Sequence, residues 1–146
     1  MIRYLLDTNV ISELVRPRPN AGVRERYRAH EHEGAIASGI WHELLYGVER
    51  LAPGRRRDEL ARYMTEVVRP ALPVLPYDAT AAEWLARERA RLDAIGQPRP
   101  ATDGQIAAVA ATRGLVLVTR NTADFAGYAG LHVEDWFQPD PSERDS

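Results

Sequence analysis

Arg3-Tyr-Leu-Leu-Asp-Thr-Asn-Val-Ile-Ser-Glu-Leu14 is the stretch whose reading decides the fold. Ile2 to Leu6 is a short apolar run with the character of a buried strand, and it ends on a carboxylate, Asp7. Thr8 and Asn9 supply small polar groups, and Val10 to Val15 resumes an apolar pattern at helical spacing until Pro17 and Pro19 stop it. In an open parallel sheet, ligands bind in the crevice beyond the carboxyl ends of the strands. An acid at that place raises the question of what else converges on it.

The rest of the chain alternates helices and strands. Asn20 is a cap for a helix reaching about Glu33, with Gly34 as its stop. Ala35 to Ser38 reads as the second strand, and Ser38 as the cap of a helix from Gly39 to Leu51. A further amphipathic helix covers Arg55 to Val68, with Leu60, Tyr63, Met64, Val67 and Val68 on one face. Val74 to Tyr77 is a weak strand whose Pro76 suits a sheet edge. Thr80 with Glu83, and Thr102 with Gln105, form capping boxes for helices ending near Ile95 and Arg113. Leu115 to Thr119 is the best strand in the chain, apolar as an interior parallel strand should be. Leu131 to Glu134 is a candidate for the last strand. This order predicts a three-layer α/β/α sandwich around a mostly parallel sheet, with one domain over residues 1–137 and a polar, mobile tail from Gln138.

Composition narrows the chemistry. The 146 residues are 45% hydrophobic and 27% charged, and no cysteine is present to form disulfides or thiolate metal sites. No signal-like or membrane-spanning apolar segment is evident, so a cytoplasmic location is expected. The net charge is −2, and every one of the 19 basic residues is Arg. A near-neutral chain of this kind can still present an Arg-lined rim to a polyanion.

Four acids fall where strands and helices meet on one edge of such a sheet: Asp7 after the first strand, Glu43 in the second turn of its helix, Asp103 at the start of its helix, and Asp124 five residues past Thr119. Gathered carboxylates repel, and a hard cation relieves the repulsion. Oxygen ligands without Cys or paired His suit Mg²⁺ or Mn²⁺, which can arm water for in-line attack at phosphorus. Each acid alone has a plainer reading: Asp7 as a helix cap, Glu43 as a solvated helix residue, Asp103 as a partner of the helix dipole, Asp124 as a turn former. His30 and His32, two apart on a helix, are rejected as a metal pair.

With these residues set out, the chain resembles the PIN-domain ribonucleases, and within them the VapC/FitB-type toxins of type II toxin–antitoxin pairs. The resemblance runs from Tyr4 to about Trp136. It is carried by Leu6-Asp-Thr-Asn9, Trp41-His-Glu-Leu-Leu-Tyr-Gly47, Thr102-Asp-Gly-Gln-Ile-Ala-Ala108 and Leu117-Val-Thr-Arg-Asn-Thr-Ala-Asp-Phe125 in that order. It implies that Asp7, Glu43, Asp103 and Asp124 are the family's acidic metal-binding quartet. Thr8, Thr119 and Asn121 match its small polar positions, with Asn121 behind the metal ligands or on the substrate. Gly104 departs from the pattern and has no assignment. The resemblance further implies Mg²⁺- or Mn²⁺-dependent endonucleolytic cleavage of RNA, leaving a 5′-phosphate and a 3′-hydroxyl. A homodimer and a cognate, VapB-like antitoxin lying over the acidic pocket are also implied.

Among the Arg residues, Arg120 is the expected contact for substrate phosphate, whereas Arg55 to Arg57 are as well explained as a solvated helix start. Arg87, Arg89 and Arg91 read with Glu88 as exposed helix pairs. Trp41, Leu44, Leu45, Tyr46, Tyr63 and Met64 are candidates for an antitoxin surface, though for most of them plain core is preferred. A haloacid dehalogenase-type phosphatase needs a second Asp where Asn9 stands, and a phospho-receiver domain needs a Lys. The remaining rival is a PIN-fold protein without turnover, acting as a co-repressor on DNA with its antitoxin.

Overall fold

The structure, a computed structural model, describes residues 1–140. Five strands, β1 (Tyr4–Leu6), β2 (Gly34–Ala37), β3 (Val74–Leu75), β4 (Val116–Val118) and β5 (His132–Glu134), form one sheet in the order β3-β2-β1-β4-β5. Every neighbouring pair is parallel. The registers align Leu5 with Ala35 on one side and Leu5 with Leu117 on the other. The weak strand lies at an edge as expected, but it stops at Leu75, before Pro76.

The chain steps outward from β1 to β2 and β3, then returns past β1 to place β4 and β5. Right-handed crossovers put helices of opposite travel on opposite faces, which produces the three layers. The connections are α1 (Thr8–Leu14) and α2 (Ala21–Ala29), then α3 (Ser38–Glu49), α4 (Arg55–Tyr63) and the short α5 (Arg69–Ala71), then α6 (Ala79–Ala94) and α7 (Ala101–Thr112). The order reverses between β1 and β4, so their carboxyl ends flank the crevice that parallel sheets use for ligands. Leu5, Leu6, Ile36, Leu117 and Val118 are fully buried at the centre.

Several boundaries differ from those predicted. The α2 helix stops at Ala29, and His32 carries the chain through a left-handed turn at φ 74°. Gly34 opens β2 rather than ending a helix; a Cβ there would stand 3.2 Å from Leu72 Cδ2 and 3.5 Å from Leu6 Cδ1. Asp78, not Thr80, caps α6 by accepting from the Ala81 N–H at 3.0 Å. Neither Ser38 nor Thr102 acts as a cap: α3 begins at Ser38 itself and α7 at Ala101, following Pro100. Asn20 does cap α2, accepting from the Val23 N–H at 3.1 Å.

The helix expected over 55–68 changes its winding. Met64–Val68 is a π segment between α4 and α5, and it breaks the 3.6-residue period. Met64 and Val68 are buried, while Tyr63 and Val67 are left 37% and 47% exposed. Beyond Val118, Gln138 is held by Arg26, whose guanidinium donates to its carbonyl at 2.8 Å. The part of the expected mobile tail past Asp140 lies outside the described residues.

Glu88 corrects another expectation. It is buried rather than part of an exposed pair. Its carboxylate accepts two hydrogen bonds from Arg91, at 2.9 and 2.8 Å, and one from the Ala129 N–H at 2.6 Å. It thereby ties α6 to the loop before β5. The Arg91 hydrogen bonds outweigh the opposing effect of burial, and with the Ala129 N–H they hold the carboxyl below its ordinary value.

Gly104 also acquires a reason. It lies buried in α7 where that helix meets α6, and a Cβ on it would stand 2.8 Å from Leu85 Cδ1 and 3.3 Å from the Tyr128 hydroxyl. Absence of a side chain is what lets the two helices approach.

Two outcomes follow from this packing. Replacing Glu88→Gln removes a charged acceptor from three donors and costs about 2–3 kcal/mol in urea unfolding at pH 7. Because the folded pKa is depressed, the difference between wild type and variant is full above the unfolded value of about 4.3 and is lost as pH falls through the folded value. Gly104→Val overpacks the α6–α7 contact and lowers stability by about 2 kcal/mol or more in the same assay.

Candidate active site

Asp7 follows β1 directly and is only 8% exposed. Its Oδ1 accepts from the Thr8 N–H at 2.8 Å, so the cap reading is correct as far as it goes. The other oxygen is engaged across the sheet: Oδ2 accepts from the Thr119 hydroxyl at 2.7 Å and from the Asn9 side-chain amide at 3.2 Å. A simple cap needs one oxygen. Here the second is fixed by a residue 112 positions away in the chain.

Thr119, fully buried just past β4, is the hub of this arrangement. While its hydroxyl donates to Asp7, its oxygen accepts from Asn9 Nδ2 at 3.2 Å and from the Asn121 N–H at 3.1 Å. Asn9 closes the ring by accepting the Arg120 N–H on its Oδ1 at 3.1 Å. The ends of β1 and β4 are thus stitched together at the point where strand order reverses. Asn9 was not singled out as a site residue from sequence. The signal available for it was its position two residues after the strand-end acid, facing the best strand in the chain.

Asp103 lies in the first turn of α7, as its third residue rather than its first, and it is half-buried. Burial pushes its carboxyl above the ordinary value, and the negative charges of Asp124 and Asp7 push further, against the pull of Arg99. Those influences bring three acids from separate parts of the chain into one field. Asp124 sits on a 3₁₀ turn, Thr122–Phe125, that is anchored by buried Phe125. Arg99 braces this turn by donating to the carbonyls of Ala123 at 3.1 Å and Ala126 at 2.7 Å. Sequence gave no warning of that role, because it depends on backbone acceptors some 25 residues away.

Glu43 is exposed on the second turn of α3. It borders a groove of about 650 Å³ that includes Thr8, Tyr46, Arg50 and Arg56, and also a cavity of about 320 Å³ that includes Thr102. It is not among the charges acting on Asp103. Among the described residues, no three Asp, Glu, His or Cys side chains are drawn together to the spacing of an ion's ligands. The acids face a common edge without closing into a cage.

The remaining candidates are placed as follows. Thr8 is half-buried and serves Asp7 through its backbone. Asn121 is exposed at the start of the 3₁₀ turn. Arg120 is exposed, with its guanidinium 4.7 Å from the centre of the Phe137 ring. Arg55 and Arg57 are occupied by Glu59 and Glu49, each at 2.8 Å. His30 packs against the rings of Tyr4 and Trp136.

Comparison with known proteins agrees with this geometry. Residues 4–131 match the model of the PIN domain. The chain is 36% identical over 137 residues to the tRNA(fMet)-specific endonuclease VapC of Shigella flexneri, covering 93% of this chain and 99% of that protein. Among solved structures, FitAcB from Neisseria gonorrhoeae superposes with a TM-score of 0.85 at 32% identity, covering 92% of this chain and 99% of that one. DNA-bound VapBC from Salmonella typhimurium gives a TM-score of 0.79 at 33% identity, over 93% and 99% of the two chains. On its strand order, its strand-end acids and these likenesses, the chain belongs to the PIN-domain family.

Proposed function

We propose that this protein is a divalent-metal-dependent endoribonuclease and the toxin of a toxin–antitoxin pair, acting in the cytoplasm. The observation that carries the reading is the field at Asp103, where burial and two further acids oppose ionisation. Such an arrangement costs stability in a resting protein and is useful where a cation must be held. Relatives named as VapC endonucleases and ribonucleases support RNA as the substrate.

Asp7, Asp103, Asp124 and Glu43 are the residues that would hold Mg²⁺ or Mn²⁺. Their donors are all carboxylate oxygens, the chemistry that hard cations prefer. When bound, the cation would lower the pKa of a water and neutralise charge developing on the phosphodiester. The chain's own part is positional. Three donors leave Asp7 little freedom to turn away from the edge. Arg99 keeps the Asp124 turn against α7, and Thr8, Asn121 and the exposed Arg120 are within the region a phosphate backbone would cross. Cleavage by water would leave a 5′-phosphate and a 3′-hydroxyl.

An antitoxin has a credible seat beside this site. The groove next to Glu43 has Leu44, Val48 and Met64 in its floor, all buried, with 55%-exposed Tyr46 and Arg50 above them. Arg50 lies over the Tyr46 ring at 5.7 Å. Of the six residues considered for such a surface, Leu44 and Met64 are core, Trp41 and Leu45 are half-buried, and Tyr46 and Tyr63 are exposed. Solved relatives titled as toxin–antitoxin assemblies support an antitoxin partner here, and we extend the reading to a homodimer. DNA-bound relatives favour a second role in operator binding with the antitoxin, in addition to cleavage rather than instead of it.

Two measurements test the reading. Purified protein cuts total RNA in Mg²⁺ or Mn²⁺, and cutting is abolished by chelator and falls by a factor of about 10² or more in Asp7→Asn; undiminished cutting by that variant contradicts the assignment. In metal-free buffer at pH 7, Asp103→Asn melts about 2–4 °C above wild type, because a disfavoured charge is removed. Added Mg²⁺ or Mn²⁺ raises the melting temperature of wild type but not that of Asp103→Asn.

A further inference from the structure

The cavity on the other side of Glu43 has a composition that the acidic site does not explain. Its floor is Ala37, Ile106 and Val109, all buried in the core yet open to this space. One wall is a single face of α7, on which Thr102, Gln105, Ile106 and Val109 recur at helical spacing. The opposite wall is Gly39, His42 and Glu43 of α3, also one face. A Cβ at Gly39 would meet nothing within 4 Å, so that wall is low and the space is open there. Tyr77 stands at the rim, 36% exposed, immediately before the Asp78 cap that fixes the start of α6.

No Lys or Arg lines this cavity, and Glu43 borders it. A phosphate is therefore a poor occupant. What the walls match is a flat, neutral group with an apolar face and hydrogen-bonding edges. Tyr77 and His42 offer aromatic faces for stacking, and the Gln105 amide offers both a donor and an acceptor. Its volume of about 320 Å³ lies at the lower end of the range for small-molecule pockets. The cavity adjoins the acids through Glu43 and through Thr102, the neighbour of Asp103.

We propose that this cavity takes an unstacked nucleobase of the RNA strand next to the cleaved phosphodiester, with Tyr77 as its stacking platform and Gln105 as its edge reader. The inference rests on the nuclease reading above, and it assigns base preference to residues outside the acidic set. RNA recognised by sequence is characteristically read with its bases splayed out onto aromatic side chains. The pocket supplies such a place, bordered by Glu43 and by Thr102, the neighbour of Asp103.

The test uses binding rather than cutting, so that its failure is separable from failure of the nuclease reading. Asp7→Asn protein is titrated in Mg²⁺ with a labelled single-stranded RNA decamer and with copies made abasic at each position in turn, followed by fluorescence anisotropy. One abasic position is expected to weaken binding about ten-fold, within the range for loss of one base stack. In Asp7→Asn/Tyr77→Ala, the intact strand binds about ten-fold more weakly and the abasic penalty disappears, whereas Tyr77→Phe retains both affinity and penalty. Gln105→Ala keeps most of the affinity and reduces discrimination between bases at that position. Circular dichroism of Tyr77→Ala is expected to match the parent, since the ring is at the surface. Equal binding of intact and abasic strands at every position, an additive loss on combining Tyr77→Ala with the abasic strand, or no binding of RNA at all overturns the proposal. A Tyr77→Ala variant that binds RNA normally but fails to bind the antitoxin would assign the cavity to a peptide side chain instead.

Discussion

The hydrogen bond from the Thr119 hydroxyl to Asp7 is the constraint on which the site depends. It joins the carboxyl ends of β1 and β4, the two strands between which the order of the sheet reverses. A parallel sheet leaves a crevice at such a point because the crossovers on its two sides depart to opposite faces. An acid carried there by a three-residue strand would be free to turn away. Asn9 and the Thr8 N–H remove that freedom, and Thr119 is itself held by the Asn121 N–H. Burial of the carboxylate is tolerable because its oxygens are supplied with donors.

The rest of the edge is organised around charge that is less well compensated. Asp103 enters from α7, and Asp124 from a short turn braced by Arg99, whose guanidinium bonds two backbone carbonyls. The pull of Arg99 on Asp103 is outweighed by burial and by the two neighbouring acids. A fold selected for stability alone would have no use for this imbalance, whereas a site that recruits a dication would. Gly104 belongs to the same logic. By letting α7 press against Leu85, it seats the residue that carries the third acid.

Sequence made the framework legible because its strands are short apolar runs and Asp7 follows the first of them directly. The strands expected over Leu115 to Thr119 and Ile2 to Leu6 needed no tertiary information, though they form over the shorter Val116–Val118 and Tyr4–Leu6. Local rules failed where two of them competed. Asp78 and Thr80 are both credible caps, and which one bonds the helix start depends on the turn after β3. Gly34 reads as a helix stop because the residues before it are polar, yet its reason is close packing against Leu6 and Leu72. Glu88 looked solvated among Arg residues, since its N–H partner at Ala129 lies 41 positions on. Asn9 and Arg99 escaped for the same cause: their work is done on partners that only the folded chain brings near. The outward Tyr63 and Val67 result from a π winding that hydrophobic spacing does not encode.

The central claim is that Asp7 and Asp103, with Asp124 and Glu43 beside them, serve one divalent cation. Crystals grown in millimolar Mn²⁺ and measured near the manganese absorption edge test it most directly. The account predicts an anomalous peak bounded by the carboxylates of Asp7 and Asp103 and lost in Asp7→Asn crystals. Full-occupancy manganese elsewhere, with no density on that edge of the sheet, would contradict it.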